Sequence, residues 1–138
     1  MKQLKTEIIA LCDYANVSRE GKLSINGIFD ELRVQQFPGG IARAFFIATV
    51  SGTPSTSYKL TLKIEPSKGL VNQPNEFTLG AFTAPNGKNN LIVELINLGF
   101  KEKGDYRFIL YEGKQEIGST LLKVMRQQQE HNDIKLPN

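Results

Sequence analysis

The chain has 138 residues, 40% of them hydrophobic and 22% charged, with 17 Lys and Arg against 14 Asp and Glu. This is the composition of one ordinary globular domain. A chain of this length buries roughly two-thirds of its unfolded surface, so it needs no metal or disulfide to hold a core. Its single cysteine, Cys12, excludes an internal disulfide and fits a reducing compartment. In the N-terminal MKQLKTEIIALCDY the apolar run ends on Asp13, too short for a signal-peptide core or a membrane span. A cytoplasmic protein with no membrane association is expected.

In chain order, TEIIALCDYANV reads as a strand with Ile8, Ala10 and Cys12 on one side, followed by a polar turn centred on Gly21. KLSINGIFDELRVQQF continues as a second strand. Its Asn26-Gly27 pair is read as a bulge in preference to a tight turn, because a turn there would leave two arms too short to pair. FDELRVQQF has a short helix as its alternative, since Phe29, Leu32 and Phe37 are loosely helical in spacing. ARAFFIATVSG is rich in aromatic and β-branched residues and puts Phe45 and Phe46 on opposite faces. One of them should enter the core and the other find cover elsewhere.

YKLTLKIE alternates Tyr58, Leu60, Leu62 and Ile64 against Lys59, Thr61, Lys63 and Glu65, the pattern of a half-buried antiparallel strand. NNLIVELINLGF sets Leu91, Val93 and Leu95 against Ile92, Glu94 and Ile96, an unusually apolar second face. DYRFILYEGKQEIGSTLLKV has the form of a hairpin turning at Glu112-Gly113. Tyr106, Phe108 and Leu110 face the core from its first arm, and Ile117, Leu122 and Val124 from its second. Pro38-Gly39-Gly40, Gly52 to Ser55, Pro66 to Pro74 and Pro85-Asn86-Gly87 punctuate these stretches as turns.

Seven alternating stretches without a long helix predict an all-β fold, an antiparallel immunoglobulin-like β-sandwich of seven or eight strands. The domain is expected to span 1–126, with 127–138 a polar, mobile C-terminal tail.

Two resemblances support this reading. LGFKEKGDYRFILYEGKQEIGSTLLKV resembles the closing hairpin of immunoglobulin-like sandwiches, in which a Gly-x-Tyr corner, here Gly104 and Tyr106, anchors the loop through the tyrosine hydroxyl. There is no second Cys and no Trp, so the antibody-type core is excluded. CDYA, GKL and NGIFD, together with that hairpin, resemble a family of small bacterial proteins that carry only a domain-of-unknown-function label. The resemblance implies a β-sandwich in a bacterial cytoplasm and brings no catalytic residues with it.

The basic balance does not point to nucleic acid. Residues 1–69 carry nine basic and six acidic side chains, residues 70–138 eight of each, and KEKGDYR alternates sign within seven positions. Nucleic-acid binders concentrate cations on one face, whereas mixing suits a solvated surface. Arg43, Lys59 and Lys63 are the candidates for an anion-binding patch assembled by the fold.

Chemistry is equally sparse. His131, the sole histidine, stands in the tail, and no CxxC or HxxxH spacing accompanies Cys12, so neither a metal nor any other cofactor is expected. No GxSxG elbow or phosphate loop is present. Asp13, Asp30 and Glu31 are candidates for an acid pair but read better as solvated strand-end carboxylates, and Cys12 reads as a small buried hydrophobe.

The expected function is therefore non-enzymatic, a protein-interaction or self-association module. An unidentified protein or a second copy would dock on a strand edge or on a patch near Phe45, Phe46, Ile92 and Ile96. The alternative is a small-ligand or nucleic-acid site on loops 66–76 and 84–90.

Overall fold

A computed structural model of the chain describes residues 3–71 and 73–127. Nine strands run in chain order: β1 (Lys5–Val17), β2 (Leu23–Phe29), β3 (Glu31–Val34), β4 (Gly39–Ser51), β5 (Ser57–Glu65), β6 (Glu76–Phe82), β7 (Lys88–Phe100), β8 (Gly104–Glu112) and β9 (Gln115–Arg126). One short 3-10 turn, Ser67–Gly69, interrupts them. They form a four-stranded sheet, β2-β1-β4-β7, facing a five-stranded one, β3-β9-β8-β5-β6. Every ladder is antiparallel except that between β3 and β9. The fold class is the expected antiparallel β-sandwich.

Alternation is the cause. Tyr58, Leu60, Leu62 and Ile64 of β5 and Tyr106, Phe108 and Leu110 of β8 are all buried between the sheets. Phe46, Ala48 and Val50 of β4, Leu91 and Leu95 of β7, and Leu122 and Val124 of β9 meet them there. Each large side chain so buried contributes about 1.5–3 kcal/mol of transfer free energy.

Nine strands exceed the seven or eight expected, through two additions to the alternating stretches. The stretch KLSINGIFDELRVQQF is two strands. β2 pairs with β1, and Asp30 turns the corner, its carbonyl accepting the Lys123 N–H at 2.9 Å. β3 then joins the other sheet, parallel to β9. The helical alternative for FDELRVQQF is thereby overturned. The second addition is β6, a stretch between the turns at Pro66–Pro74 and Pro85–Gly87 to which the alternation assigns no strand. Its Phe77, Leu79 and Ala81 point to the core despite Gly80 at its centre.

The bulge expected at Asn26-Gly27 is also corrected. Cys12 pairs with Ile28 and Tyr14 with Asn26, so no residue is inserted. Gly27 instead has φ +69° and lies so close to Asp13 that a β-carbon would collide with its carboxylate. The tyrosine corner is present: the Tyr106 hydroxyl donates to the Glu102 carbonyl at 2.8 Å, and its ring stacks at a tilt on Phe100, with centroids 4.6 Å apart. Gly69 packs against the same ring where no side chain fits.

Of the expected tail, Gln127 still donates its N–H to Val34 at 2.7 Å. Residues 128–138, His131 among them, lie outside the described residues. Among the described residues no helix is long and apolar enough to cross a membrane.

Candidate interaction surface

β4 is the central feature of the four-stranded sheet, flanked by β1 and β7, and it is apolar on both faces. While Phe46 points between the sheets, Phe45 and Ile47 point outward into a second cluster with Ala10, Cys12 and Ala15, against which Ile25 and Ile92 pack. The register lays this outward face out in rows. Ile28, Cys12, Phe45 and Glu94 cross the four strands in line, and Ala10, Ile47 and Ile92 form the next row. Beyond them come Ile8, Thr49 and Asn90, the Thr49 hydroxyl donating to the Asn90 amide oxygen at 2.9 Å.

The centre of the face is covered by its own neighbours. Tyr14 meets the Phe45 ring edge-on at 5.5 Å, and the Arg43 guanidinium lies over it at 5.1 Å. The periphery is open: Ile28 is 63% exposed, Ile96 60%, Tyr14 46% and Ile8 43%. Charges on the face are paired locally, Arg43 with Glu94 and, at one end, Lys88 with Glu7 at 3.4 Å. The Ser51 hydroxyl also donates to Glu7, and this bond, with Lys88, holds the Glu7 carboxyl below its ordinary range. Cys12 is fully buried, and burial pushes its thiol pKa up, which disfavours the nucleophilic thiolate.

Of the four residues expected in one patch, the structure brings Phe45, Ile92 and Ile96 to this face and sends Phe46 into the inter-sheet core. Phe45 itself is buried. Ile8, Tyr14 and Ile28 were missed. Ile8 and Tyr14 continue the alternation of Ala10 and Cys12 along β1, while Ile28 joins the face only through the β1–β2 ladder.

The anion-binding trio does not assemble. Arg43 is on the outward face of the four-stranded sheet, committed to Glu94 and Phe45. Lys59 and Lys63 alternate with core residues on β5 and so cover the outward face of the other sheet. The two proposed ligand loops are separated too. Loop 84–90 closes at Lys88, where the Ala84 N–H donates to the Lys88 carbonyl, and loop 66–76 at Gly99, where Val71 does the same. These are opposite ends of the 13-residue β7. Beside loop 66–76 is a shallow depression of about 760 Å³, lined by Lys63, Lys68 and Arg107 together with Glu65 and Asp105. Lys63 is paired with Glu65 at 3.8 Å and Arg107 with Glu116 at 2.9 Å, so its positive charge is largely cancelled.

Asp13 opposes Gly27 across the β1–β2 ladder, and Asp30 stands at the corner leading into β3 and Glu31. Among the described residues no three His, Cys, Asp or Glu side chains form a group able to hold a metal.

The model of a family of unknown function, DUF6941, matches residues 7–125, from the start of β1 to the end of β9. The chain belongs to this family. No functionally curated protein sequence matches it. Among solved structures, an immunoglobulin-like protein from Pseudomonas aeruginosa is similar at 15% identity and a TM-score of 0.50, over 88% of this chain and 96% of that one. A GH3 β-glucosidase from Bifidobacterium adolescentis is similar at 11% identity and a TM-score of 0.52, over 89% of this chain. A β-glucosidase from Listeria innocua is similar at 9% identity and a TM-score of 0.50, over 91% of this chain. This chain spans only 17% and 16% of those two enzymes. At such identities the likeness is one of fold, an immunoglobulin-like sandwich recurring in unrelated settings.

Proposed function

We propose that this protein is a non-enzymatic self-association module whose docking surface is the outward face of the β2-β1-β4-β7 sheet. The observation that carries the reading is the ring of exposed Ile8, Tyr14, Ile28 and Ile96 around a buried Phe45 and Ile47. An isolated exposed isoleucine is ordinary, but three with a tyrosine around one apolar centre make a patch of the kind that marks an interface.

A second copy of the chain is the partner that this chemistry fits. The charges on the face are already paired within it, so it offers little to a strongly charged partner and much to another neutral apolar face. Four strands spaced about 4.8 Å apart and roughly 27 Å long give a footprint of the order of 500 Å² per copy, at the small end of specific interfaces. A concentration-dependent dimer follows. We further propose a cytoplasmic setting, supported by the lone buried cysteine. Against the alternative of a ligand or nucleic-acid site on loops 66–76 and 84–90 stand the separation of those loops and the cancelled charge beside the first.

The test is sedimentation or light-scattering mass measured across protein concentration. The wild type should rise from the 15.4 kDa monomer toward twice that mass. Ile28→Glu and Ile96→Glu should each hold it at the monomer, while Lys59→Glu on the opposite face should change nothing. A wild type that stays monomeric at every concentration overturns the reading.

A further inference from the structure

A second surface, independent of the sheet face, lies on the side of the sandwich where β2 and β3 cross over. β2 pairs with β1 only along Leu11–Val17, and β3 pairs with β9 only along Lys123–Arg126. The other halves of both strands are left without a neighbour on that side. On β9 the open stretch is Gln115–Leu121, in which no residue is buried although Phe108, Ile109 and Leu110 of the adjacent β8 are wholly so.

The direction of the free backbone groups follows from the ladder. The Lys123 N–H points away from β8, donating to Asp30, and that of Gln127 likewise to Val34. Alternate residues of a strand point the same way, so Ser119 and Leu121 direct their N–H and C=O groups off the edge. Gly118, Thr120 and Leu122 bond to β8, opposite Leu110, Phe108 and Tyr106.

The edge carries one of the usual protections, a register irregularity opposite Leu110 and Tyr111 that sets Ile117 outside the ladder; beyond it the strand is bare. Natural edges are blunted by charges, proline or a covering element, yet Ile-Gly-Ser-Thr-Leu at 117–121 carries no charge and no proline, and Leu121 is 44% exposed. Next to it a groove of about 560 Å³ is lined by Leu4, Lys5 and Thr6 of the first segment and by Gln115, Glu116 and Ile117 of β9. Thr6 reaches over Gly118, and its hydroxyl oxygen is buried without a hydrogen-bond partner. A hydroxyl left so costs stability until something supplies the bond.

We propose that the Gln115–Leu121 edge of β9 is an acceptor for a short, extended, uncharged segment of a partner protein, which adds to the five-stranded sheet in line with β3. The segment exchanges backbone hydrogen bonds with Ser119 and Leu121. Its inward side chains are small and hydroxyl-bearing, to sit by Gly118 and pair with Thr6, and its outward ones are apolar, to lie on Leu121. Two-fold pairing with a second copy of β9 is blocked by β3 in the register centred on Ser119, which lays the partner's Gln115 against Lys123, where β3 already is. Seven residues, roughly 23 Å of strand, is the length that fits.

The experiment is residue-resolved amide hydrogen exchange on the full chain, with and without a blocked heptapeptide that alternates threonine and valine. The result expected is slowing of exchange by about tenfold or more at Ser119 and Leu121, with Gly118 and Thr120 unchanged, an alternation that only strand addition produces. Ser119→Pro removes an off-edge N–H without touching the β8 ladder and should abolish the peptide's effect. Leu121→Lys, which keeps every backbone group, should weaken it severalfold and serves if the proline variant does not fold. No saturable effect up to about 1 mM peptide, the weak end of specific binding, overturns the proposal. So do uniform slowing along β9, or protection at Ser119 that grows with protein concentration alone.

Discussion

The outward positions of β5 are Lys59, Thr61, Lys63 and Glu65, and those of β4 are Arg43, Phe45, Ile47 and Thr49. Both strands lie inside their sheets and both send an apolar row between them, yet one shows water a charged face and the other an apolar one. On the five-stranded sheet even the outward Ile109 is fully buried, with Lys63 and Ser119 directly beside it on the neighbouring strands. On the four-stranded sheet the outward cluster ends in exposed isoleucines. Alternation thus tells which residues leave the core, and the chemistry of those residues tells whether the outward face of a sheet is charged or apolar.

The sharpest way to break this contrast is to truncate the two adjacent phenylalanines. Phe46→Ala empties a fully buried inter-sheet site and should cost about 3–5 kcal/mol in urea unfolding. Phe45→Ala opens a space that Tyr14, Arg43 and solvent partly refill, and should cost about half as much. Equal losses would make the outward layer a second core rather than a covering. Next in size is Tyr106→Phe, which keeps the packing on Phe100 but leaves the Glu102 carbonyl without its donor. A loss of about 1 kcal/mol, read as a melting temperature a few degrees lower, is expected; no change would mean that the corner is held by packing alone.

Smallest is the acid dependence of the four-stranded sheet's rim. Ser51 and Lys88 hold the Glu7 carboxyl below its ordinary 4.5, so its contribution is present above that value and is lost as pH falls through the lowered one. Glu7→Gln should therefore trail the wild type slightly near neutrality and match it in strong acid. A variant that trails equally at both would show that the Glu7 charge contributes nothing.

Much of this was legible from the chain. Period-two alternation in YKLTLKIE and DYRFILYE reports a local steric fact, that successive strand side chains point opposite ways, and every residue it assigned to the core in those stretches is there. The opposition of Phe45 and Phe46 follows from the same rule. β6 was hidden because Gly80 and two flanking prolines imitate a loop, and its inward Phe77, Leu79 and Ala81 gain their meaning only from pairing with β5. The anion trio failed for a related reason: Arg43 and Lys63 share a charge but sit on strands of different sheets.

By itself, the sequence determined the fold class, the inward face of each alternating strand and the interleaving of basic with acidic residues, because these depend on backbone stereochemistry and composition, and its resemblance to immunoglobulin-like hairpins pointed to the tyrosine corner at Gly104 and Tyr106. Tertiary structure alone decided that the chain changes sheets at Asp30, that Phe45 is covered while Ile28 and Ile96 are left open, and that β3 stops short of Gln115–Leu121. Those outcomes depend on which strands become neighbours across tens of residues, and no local pattern carries that. The apolar sheet face and the open edge of β9, the two surfaces proposed above for docking, both arise there.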